Sequence, residues 1–339
     1  MSGPVVLLAP DSFKGTLSAA TVAAALAAGV RDAGGMPVGV PVADGGEGTA
    51  EVLAATLGGH WLHREVTGPL GAPLDGWFLL TDDGTAVVDT ATASGLHLVP
   101  PGGRDAYWAT SAGTGELVAA AVAAAAARVL LGVGGSACTD GGAGALAALR
   151  DGPGGVALTV LCDVRTPYEQ AAAVFAPQKG ADAATVRRLT ARLHELAARL
   201  PHDPRGRPFT GAAGGLAGAL WAAHGARLVS GIDTVLDLVG FDARLAGADA
   251  VITGEGRLNG QTREGKAVAG VTRRAAVRGV PVWAAVGRSA VDSAASAALG
   301  LVGVLEAGTE AELRAVAERI TRQVAAGGTA SAHRTRSTP

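Results

Sequence analysis

The sequence predicts an α/β protein with two domains built on largely parallel sheets. Strand-like apolar runs are continuous rather than alternating, as in strands that are covered on both faces. Helical stretches separate these runs, as in units where a helix connects two parallel strands. The 339 residues correspond to about two domains of roughly 150 residues each.

Eight strands and eight helices are expected on this basis. The strand-like runs cover residues 5–9, 38–42, 85–89, 129–131, 158–161, 250–253, 282–286 and 302–305. The helical stretches cover residues 18–31, 48–57, 115–128, 142–150, 183–200, 214–223, 265–277 and 310–325. Pro69 and Pro73 indicate a hinge-like loop over 67–77, and the polar C-terminal residues 327–339 are predicted to be disordered.

Composition and charge point to small-molecule chemistry. The net charge is −2 with no basic cluster, which gives no electrostatic footprint for nucleic acid or a membrane surface. The longest apolar run, residues 117–127, is too short to cross a hydrocarbon layer of about 30 Å, and the N-terminus lacks a secretion signal. Cys138 and Cys162 lack zinc-site spacing and are predicted to be reduced. We therefore expect a cytoplasmic protein that binds neither nucleic acid nor membrane.

Acidic residues follow five of the apolar runs. The carboxyl ends of parallel strands meet at one edge of a sheet, where ligands bind, so these side chains can converge on one site. Such a group suits Mg²⁺, which takes one or two carboxylates and bridges substrate phosphates. For each acid, a role in a turn or as a helix cap is the alternative. The five residues are Asp11, Asp44, Asp89, Asp163 and Glu255.

Lysine is scarce, and each lysine has a glycine beside it. The 28 basic side chains include only Lys14, Lys179 and Lys266, the rest being arginine. An ammonium group is a compact charge that fits between phosphate oxygens, whereas a guanidinium group is broad and planar. An adjacent glycine lets the backbone approach a ligand. Phosphate contact is therefore predicted for these lysines, with chance placement among 51 glycines as the alternative.

A glycine-rich loop, residues 132–144, lies between a predicted strand and a predicted helix. Such a loop exposes N–H groups to anions, so Gly134, Gly135 and Ser136 are candidate donors to a phosphate or a carboxylate. Asp140 either caps the following helix or contacts a metal.

Two nucleotide-binding motifs are matched only in part. Gly132, Gly134 and Ala137 satisfy a dinucleotide fingerprint, with Asp163 where a ribose-binding acid belongs, so an NAD-dependent hydroxy-acid dehydrogenase is an alternative function. Asp140 argues against it, because its charge would repel a pyrophosphate. Residues 260–267 have P-loop spacing but end in alanine where a metal-binding Ser or Thr should stand, so a P-loop is rejected. Lys266 is kept only as a candidate for a phosphate or structural contact.

Ten segments resemble the successive signature blocks of bacterial glycerate kinases. They occur in the family's order across about residues 5–290. The segments are APDSFKGTLSA (9–19), VPVADGGEGT (40–49), VTGPLG (66–71), ASGLHLVP (93–100), TSAGTGEL (110–117), GVGGSACTDGGAGAL (132–146), CDV with FAPQKGA (162–164 and 175–181), GAAGGLAGAL (211–220), SGIDTVLDL (230–238) and DAVITGEGRLNGQTREGK (249–266).

The resemblance implies a fold and an activity. The activity is Mg²⁺-dependent transfer of the ATP γ-phosphoryl group to D-glycerate, with 2-phosphoglycerate as the favoured product. The fold is unrelated to protein kinases and has its active site in the cleft between two domains. Residues 1–66 and 247–326 would form a discontinuous domain, and residues 67–246 an inserted one.

The candidate residues take roles in this reaction. Lys14 and Lys179 would neutralise phosphate or the substrate carboxylate, and Asp44 and Asp163 would coordinate Mg²⁺ or accept the hydroxyl proton. These four are the predicted catalytic residues. Further candidates for binding substrate or phosphate are Asp11, Ser12, Glu47, Ser94, Gly134, Gly135, Ser136, Asp140, Glu255 and Lys266. The sequence leaves open which anion the glycine-rich loop holds.

Three features depart from the family pattern. The segment between the helix ending near residue 150 and the strand before Asp163 is shortened, and the loop that follows is reduced to residues 165–170. Asn259 stands where the family usually has an aspartate. These departures keep a non-catalytic ligand-binding homologue as a further alternative. Homodimer formation is also left open.

Overall fold

The computed structural model describes residues 3–258 and 266–334. Its strands are β1 Val5–Pro10, β2 Met36–Gly39, β3 His60–Thr67, β4 Pro73–Leu80, β5 Thr85–Asp89, β6 Arg128–Gly132, β7 Ala157–Cys162, β8 Arg227–Ser230, β9 Ala250–Gly254, β10 Arg257–Leu258, β11 Val282–Val286, β12 Arg288–Ser289 and β13 Gly303–Glu306. Its helices are α1 Ala19–Asp32, α2 Thr49–Leu57, α3 Ala91–Ser94, α4 Ala112–Ala123, α5 Ala143–Ala148, α6 Ala171–Phe175, α7 Ala183–Ala197, α8 Leu216–His224, α9 Gly231–Leu238, α10 Phe241–Leu245, α11 Ala267–Val277, α12 Ser293–Ala298 and α13 Glu310–Arg334.

The chain divides into two compact units. The discontinuous unit comprises Met1–Ala43 and Leu236–Pro339, and the continuous unit comprises Asp44–Val235. These limits differ from the boundaries expected after residues 66 and 246. A break after residue 66 would separate β3 from β4, two strands that pair along their whole length from His60↔Leu80 to Thr67↔Pro73. The segment 67–77, expected to be a hinge-like loop, is therefore the turn and first part of a hairpin.

The discontinuous unit contains a five-stranded parallel sheet in the order β13-β11-β9-β1-β2. The strands read as continuous apolar runs because helices cover the sheet. On one side, Val22 and Leu26 of α1 pack with Leu313 and Ala317 of α13 in a buried apolar cluster. A methyl group on Gly29 would lie 2.0 Å from a backbone oxygen of α13, so a glycine is required at this helix contact. A short second pair, β10 with β12, is also parallel.

The continuous unit contains a six-stranded sheet in the order β3-β4-β5-β6-β7-β8. The strands from β5 to β8 are parallel, whereas β3, β4 and β5 pair antiparallel. The antiparallel strands β3 and β4 were not expected, because their exposed faces carry polar residues that interrupt the apolar pattern. Leu117 and Val118 of α4 and Leu216 and Leu220 of α8 lie in the buried core of this sheet.

The C-terminal helix α13 extends to Arg334. Residues 327–334 therefore have helical backbone where disorder was expected, although the two glycines at 327 and 328 have low helix propensity. The last five residues of the predicted tail lie outside the described residues. In the described part of the chain, we find no helix that combines the length and apolarity needed to span a membrane.

Candidate functional site

The glycine-rich loop after β6 packs directly on the backbone of residues 44–48. The Gly134 N–H donates a hydrogen bond to the Gly45 carbonyl oxygen at 3.1 Å. A methyl group on Gly134 would lie 2.5 Å from Gly46 Cα and 3.4 Å from Asp163 Oδ2. The absence of a side chain at residue 134 therefore lets three candidate segments meet: the acidic segment after β2, the glycine-rich loop and the end of β7.

Asp44 is the buried member of the acidic segment. Its side chain is 3% exposed, and its Oδ1 accepts the Gly46 N–H at 3.1 Å. Glu47 is more exposed, and its Oε2 lies 3.9 Å from Nδ1 of His97. The segment thus presents one buried and one accessible carboxylate.

Lys179 is buried beneath the glycine-rich loop. Its Nζ donates to the Ser136 hydroxyl at 3.0 Å and to the Cys138 carbonyl oxygen at 2.6 Å. Burial lowers the pKa of this ammonium group, while Asp140 and Asp163 act in the opposite direction. The structure therefore brings the predicted residues Lys179 and Ser136 into contact, and it shows that the lysine also fixes the loop backbone.

Asp140 caps α5, which is one of the two roles considered for it. Its Oδ1 accepts the Gly142 N–H at 3.1 Å, and its Oδ2 accepts the Gly144 N–H at 3.1 Å. Oδ2 also accepts the N–H and the hydroxyl of Ser111, each at 2.8 Å. The Ser111 hydroxyl accepts the Ala145 N–H at 3.0 Å, so donors at the start of α5 that an anion would use are already taken. Sequence reasoning missed Ser111, whose only signal was its position in the block TSAGTGEL.

Ser94 lies beside the loop but presents its backbone to it. Its carbonyl oxygen accepts the Ala137 N–H at 2.8 Å, and the Leu96 N–H donates to Gly135 O at 2.8 Å. The Ser94 hydroxyl is buried and accepts a hydrogen bond from Thr114 Oγ1 at 2.9 Å. Ser94 and Leu96 therefore support the loop from one side. Within the loop, Gly135 adopts a positive φ of 74°, which favours glycine.

The dinucleotide fingerprint does not have its usual setting. In that motif the glycines form the turn from the strand into the helix. Here β6 ends at Gly132 and α5 begins at Ala143, so the loop runs well past the fingerprint before the helix starts. This geometry removes the structural basis of the dehydrogenase alternative.

The discontinuous unit holds a second group of predicted residues. Asp11 and Ser12 follow β1, and Glu255 follows β9, its parallel neighbour, so they lie at the same sheet edge. The Asp11 N–H donates to Gly254 O at 2.9 Å. Lys266 Nζ lies 3.9 Å from Oε2 of the buried Glu255.

Lys14 lies in a tight turn of the same unit. The turn is closed by hydrogen bonds between Phe13 and Leu17, including Phe13 N–H to Leu17 O at 2.8 Å. A methyl group on Gly256 would lie 3.4 Å from the Lys14 backbone nitrogen. Glycine at 256 therefore lets the chain after β9 approach the turn that carries Lys14.

The carboxylates provide suitable oxygen donors for Mg²⁺. The structure brings Asp163 and the segment that carries Asp44 close to Gly134, since a methyl group there would approach both Gly46 and Asp163. Within residues 3–258 and 266–334, no group of three or more His, Cys, Asp or Glu side chains is arranged to hold a metal. Mg²⁺ commonly uses only one or two protein carboxylates together with water and phosphate, so Asp44 and Asp163 remain the candidates for its ligands. Asn259 lies outside the described residues.

Comparisons with known proteins give a consistent result. The model of the glycerate kinase family matches residues 6–152 and 150–333. A glycerate kinase of Bacillus subtilis strain 168 is 41% identical over 329 residues, with coverage of 85% of this chain and 86% of that protein. A glycerate 2-kinase of Escherichia coli K12 is 39% identical over 306 residues, with coverage of 78% and 80%. A crystal structure from Salmonella typhimurium LT2, described as a glycerate kinase 2, matches with a TM-score of 0.79 at 35% identity, covering 96% of this chain and 100% of that one.

Proposed function

The chain belongs to the glycerate kinase family, and we propose that it transfers the γ-phosphoryl group of ATP to a hydroxyl group of D-glycerate. It is a kinase, a phosphotransferase with an alcohol group as acceptor. Mg²⁺ would accompany the triphosphate, and 2-phosphoglycerate is the product that we favour, in keeping with the name of the E. coli relative.

One observation supports this proposal above the others. In the continuous unit, the buried Lys179 donates to Ser136 of a loop that packs against the Asp44 segment and beside Asp163. A cation, a hydroxyl group, backbone donors and two carboxylates are the groups that phosphoryl transfer requires, since this reaction depends on positioning and on neutralisation of charge.

The roles follow from the chemistry of each group. Lys179 and Lys14 would neutralise phosphate or the substrate carboxylate, because an ammonium group fits between anionic oxygens. Asp44 or Asp163 would accept the proton of the attacking hydroxyl group, and the other would hold the metal. Bound Mg²⁺ would neutralise part of the triphosphate charge.

The remaining candidates divide between binding and support. We assign Asp140 and Ser94 to support of the loop, because their side chains are engaged by Ser111 and Thr114. The other residues are proposed to bind substrate or phosphate: Asp11, Ser12, Glu47, Gly134, Gly135, Ser136, Glu255 and Lys266. Cytoplasmic location and homodimer formation stay predictions.

A coupled assay with D-glycerate, ATP and Mg²⁺ tests the proposed function. We expect ADP release that depends on all three components, and ³¹P and ¹³C NMR spectra should assign the phosphate to the 2-hydroxyl group. Product phosphorylated at the 3-hydroxyl would contradict the favoured regiochemistry. Glycerate-dependent reduction of NAD⁺ without ATP would instead support a dehydrogenase.

Substitutions test the assigned roles in the same assay. Asp44→Asn and Lys14→Met should each lower kcat by about 100-fold or more, since each removes a charge that acts on the reacting groups. Arg319→Ala, on the exposed part of α13, is the control and should leave turnover unchanged. Near-normal turnover of either test variant would remove that residue from the mechanism.

A further inference from the structure

Asp89 caps a helix that belongs to another part of the continuous unit. It is the last residue of β5, its side chain is 1% exposed, and its Oδ2 accepts the Ala50 N–H at 3.2 Å. Ala50 lies in the first turn of α2, and the residue before that helix, Gly48, has no side chain with which to cap it. Free N–H groups in a first turn need acceptors, and Asp89 supplies one from the neighbouring strand.

Hydrogen bonds lead from this cap to Asp44. Next to Ala50, Thr49 binds the Gly46 carbonyl oxygen through its N–H at 3.3 Å and its hydroxyl group at 2.7 Å. The Gly46 N–H in turn donates to Asp44 Oδ1 at 3.1 Å. The segment 44–50, which carries both Asp44 and Glu47, is therefore tied at its far end to Asp89.

The second oxygen of Asp89 is buried without a hydrogen-bond partner in the described residues. This atom is Oδ1. It lies close to Gly132, where an added methyl group would be 2.9 Å from Oδ1 and 2.9 Å from the Gly45 carbonyl oxygen. With one oxygen unpaired, an ionised carboxylate costs far more to bury than a neutral acid.

The charged surroundings of Asp89 favour the neutral acid. A cavity of about 200 Å³ beside it is lined by Glu47, Glu51, Asp75 and His97. Burial and, after it, the charge of Glu51 raise the pKa of Asp89 to about 8, although the N–H groups of Ala50, Gly48 and Thr49 favour the ionised form. At neutral pH the cap is thus mainly a neutral carboxylic acid, and it ionises in mildly alkaline solution.

We propose that Asp89 is a positioning residue, which holds the segment 44–50 and with it Asp44 and Glu47 in place for phosphoryl transfer. The inference rests on the proposed function for the role of Asp44, but the tie between Asp89 and the segment stands on the geometry alone. Because a carboxylate is a stronger acceptor than a neutral acid, ionisation above pH 8 does not release the N–H groups of the segment.

Three variants separate this role from a general effect on folding. Asp89→Asn keeps an acceptor for Ala50 and cannot ionise, Asp89→Ala has no acceptor, and Glu51→Gln removes the neighbouring charge but not the cap. Two readouts apply to each: kcat/KM for glycerate from pH 6.5 to 9.5, and hydrogen exchange of the amides in residues 46–52 measured at the same pH values.

The expected pattern is specific. Near pH 7, the kcat/KM of Asp89→Asn should match that of the unsubstituted enzyme within about twofold. Asp89→Ala should lose about tenfold or more in kcat/KM, and its amides in residues 46–52 should exchange faster. Above pH 8 the ionised Asp89 still accepts these N–H groups, so the unsubstituted enzyme should not fall below Asp89→Asn. Glu51→Gln lowers the pKa of Asp89 but keeps the cap, so its kcat/KM and its amide exchange should stay within about twofold of the unsubstituted enzyme.

Two results would overturn the inference. One is an Asp89→Ala protein whose turnover and amide exchange both stay within twofold of normal. The other is an Asp89→Asn protein as impaired as Asp89→Ala at pH 7. If the unsubstituted chain does not phosphorylate glycerate, the proposed function fails, and the exchange data still decide the role of Asp89. If Asp89→Ala does not fold, Asp89→Asn at pH 7 decides it: near-normal kinetics supports the inference, and a loss of about tenfold or more overturns it.

Discussion

Lys179 illustrates how one side chain can serve both the loop and the reaction. A buried ammonium group must be hydrogen-bonded, because leaving it unpaired away from water is costly. In the described structure, two of its three protons go to Ser136 Oγ and to the Cys138 carbonyl oxygen. The cation is thus held directly below the loop proposed to bind an anion, and its position depends on the length and compactness of lysine.

Replacement of Lys179 by arginine should therefore be nearly as damaging as replacement by methionine. The planar guanidinium group carries five donors, and at a position that is only 3% exposed few of them could reach water. We expect Lys179→Arg and Lys179→Met each to lower kcat/KM by about 100-fold. Steady-state kinetics with thermal unfolding of the same samples measures this effect.

Ser136→Ala is the matched control for Lys179. It removes one hydrogen-bond partner and keeps the cation, so it should cost only about tenfold in kcat/KM. A Lys179→Arg enzyme within threefold of normal would show that neither the shape of the ammonium group nor its burial matters for activity.

At the scale of elements, the site depends on close approach between backbones. The loop after β6 contacts the segment 44–48 at Gly134, and the start of α5 is capped by Asp140 rather than by an external anion. The sequence marks both regions as rich in glycine, but it does not indicate which glycines lie against another backbone. That distinction depends on contacts between residues about 90 positions apart along the chain.

Gly134→Ala should test this contact. The added methyl group would lie 2.5 Å from Gly46 Cα, and a backbone atom cannot move away as a flexible side chain can. Displacement of the loop should lower kcat/KM by about 100-fold, because small misplacements of reacting groups have large effects on rate.

Gly102→Ala is the control for Gly134→Ala. A methyl group at residue 102 meets nothing within 4 Å, so this variant should keep normal kinetics and stability. Crystal structures or amide exchange of both variants would locate any displacement. Full activity of Gly134→Ala would show that the loop can shift without consequence for the reaction.

The sequence predicts elements that have a local pattern, but not contacts between residues that lie far apart in the chain. Strands β5 and β11 have the expected bounds, 85–89 and 282–286, because strands covered on both faces form unbroken apolar runs. The hairpin of β3 and β4 was missed, because His60, Arg64 and other polar residues interrupt its pattern on an exposed sheet edge. The pairing of Ser111 with Asp140, and of Asp89 with Ala50, joins residues far apart in sequence and has no local signal.

At the scale of the whole molecule, the division into units follows strand pairing. The discontinuous unit needs both ends of the chain, because β1 from the N-terminal part pairs with β9 from the C-terminal part. The continuous unit, Asp44–Val235, contains all six strands of its sheet in one stretch of chain. The boundaries expected at residues 66 and 246 would instead leave α2 and most of β3 outside it.

A fragment of residues 44–235 should therefore fold alone. It retains the hairpin of β3 with β4, the buried Leu53 of α2 and the cap that Asp89 provides to that helix. We expect helical circular dichroism and cooperative unfolding in urea, as for a domain with its own core.

A fragment of residues 67–246 is the matched control. It lacks α2 and most of β3, so β4 becomes an exposed edge and Asp89 loses the N–H of Ala50. This fragment should be less stable than 44–235 by several kcal/mol, about the loss expected when large buried side chains are removed from a core, or it should aggregate. Equal stability of the two fragments would place the boundary near residue 66 and contradict the division at Asp44, because α2 and β3 would then contribute nothing to the core that they cover.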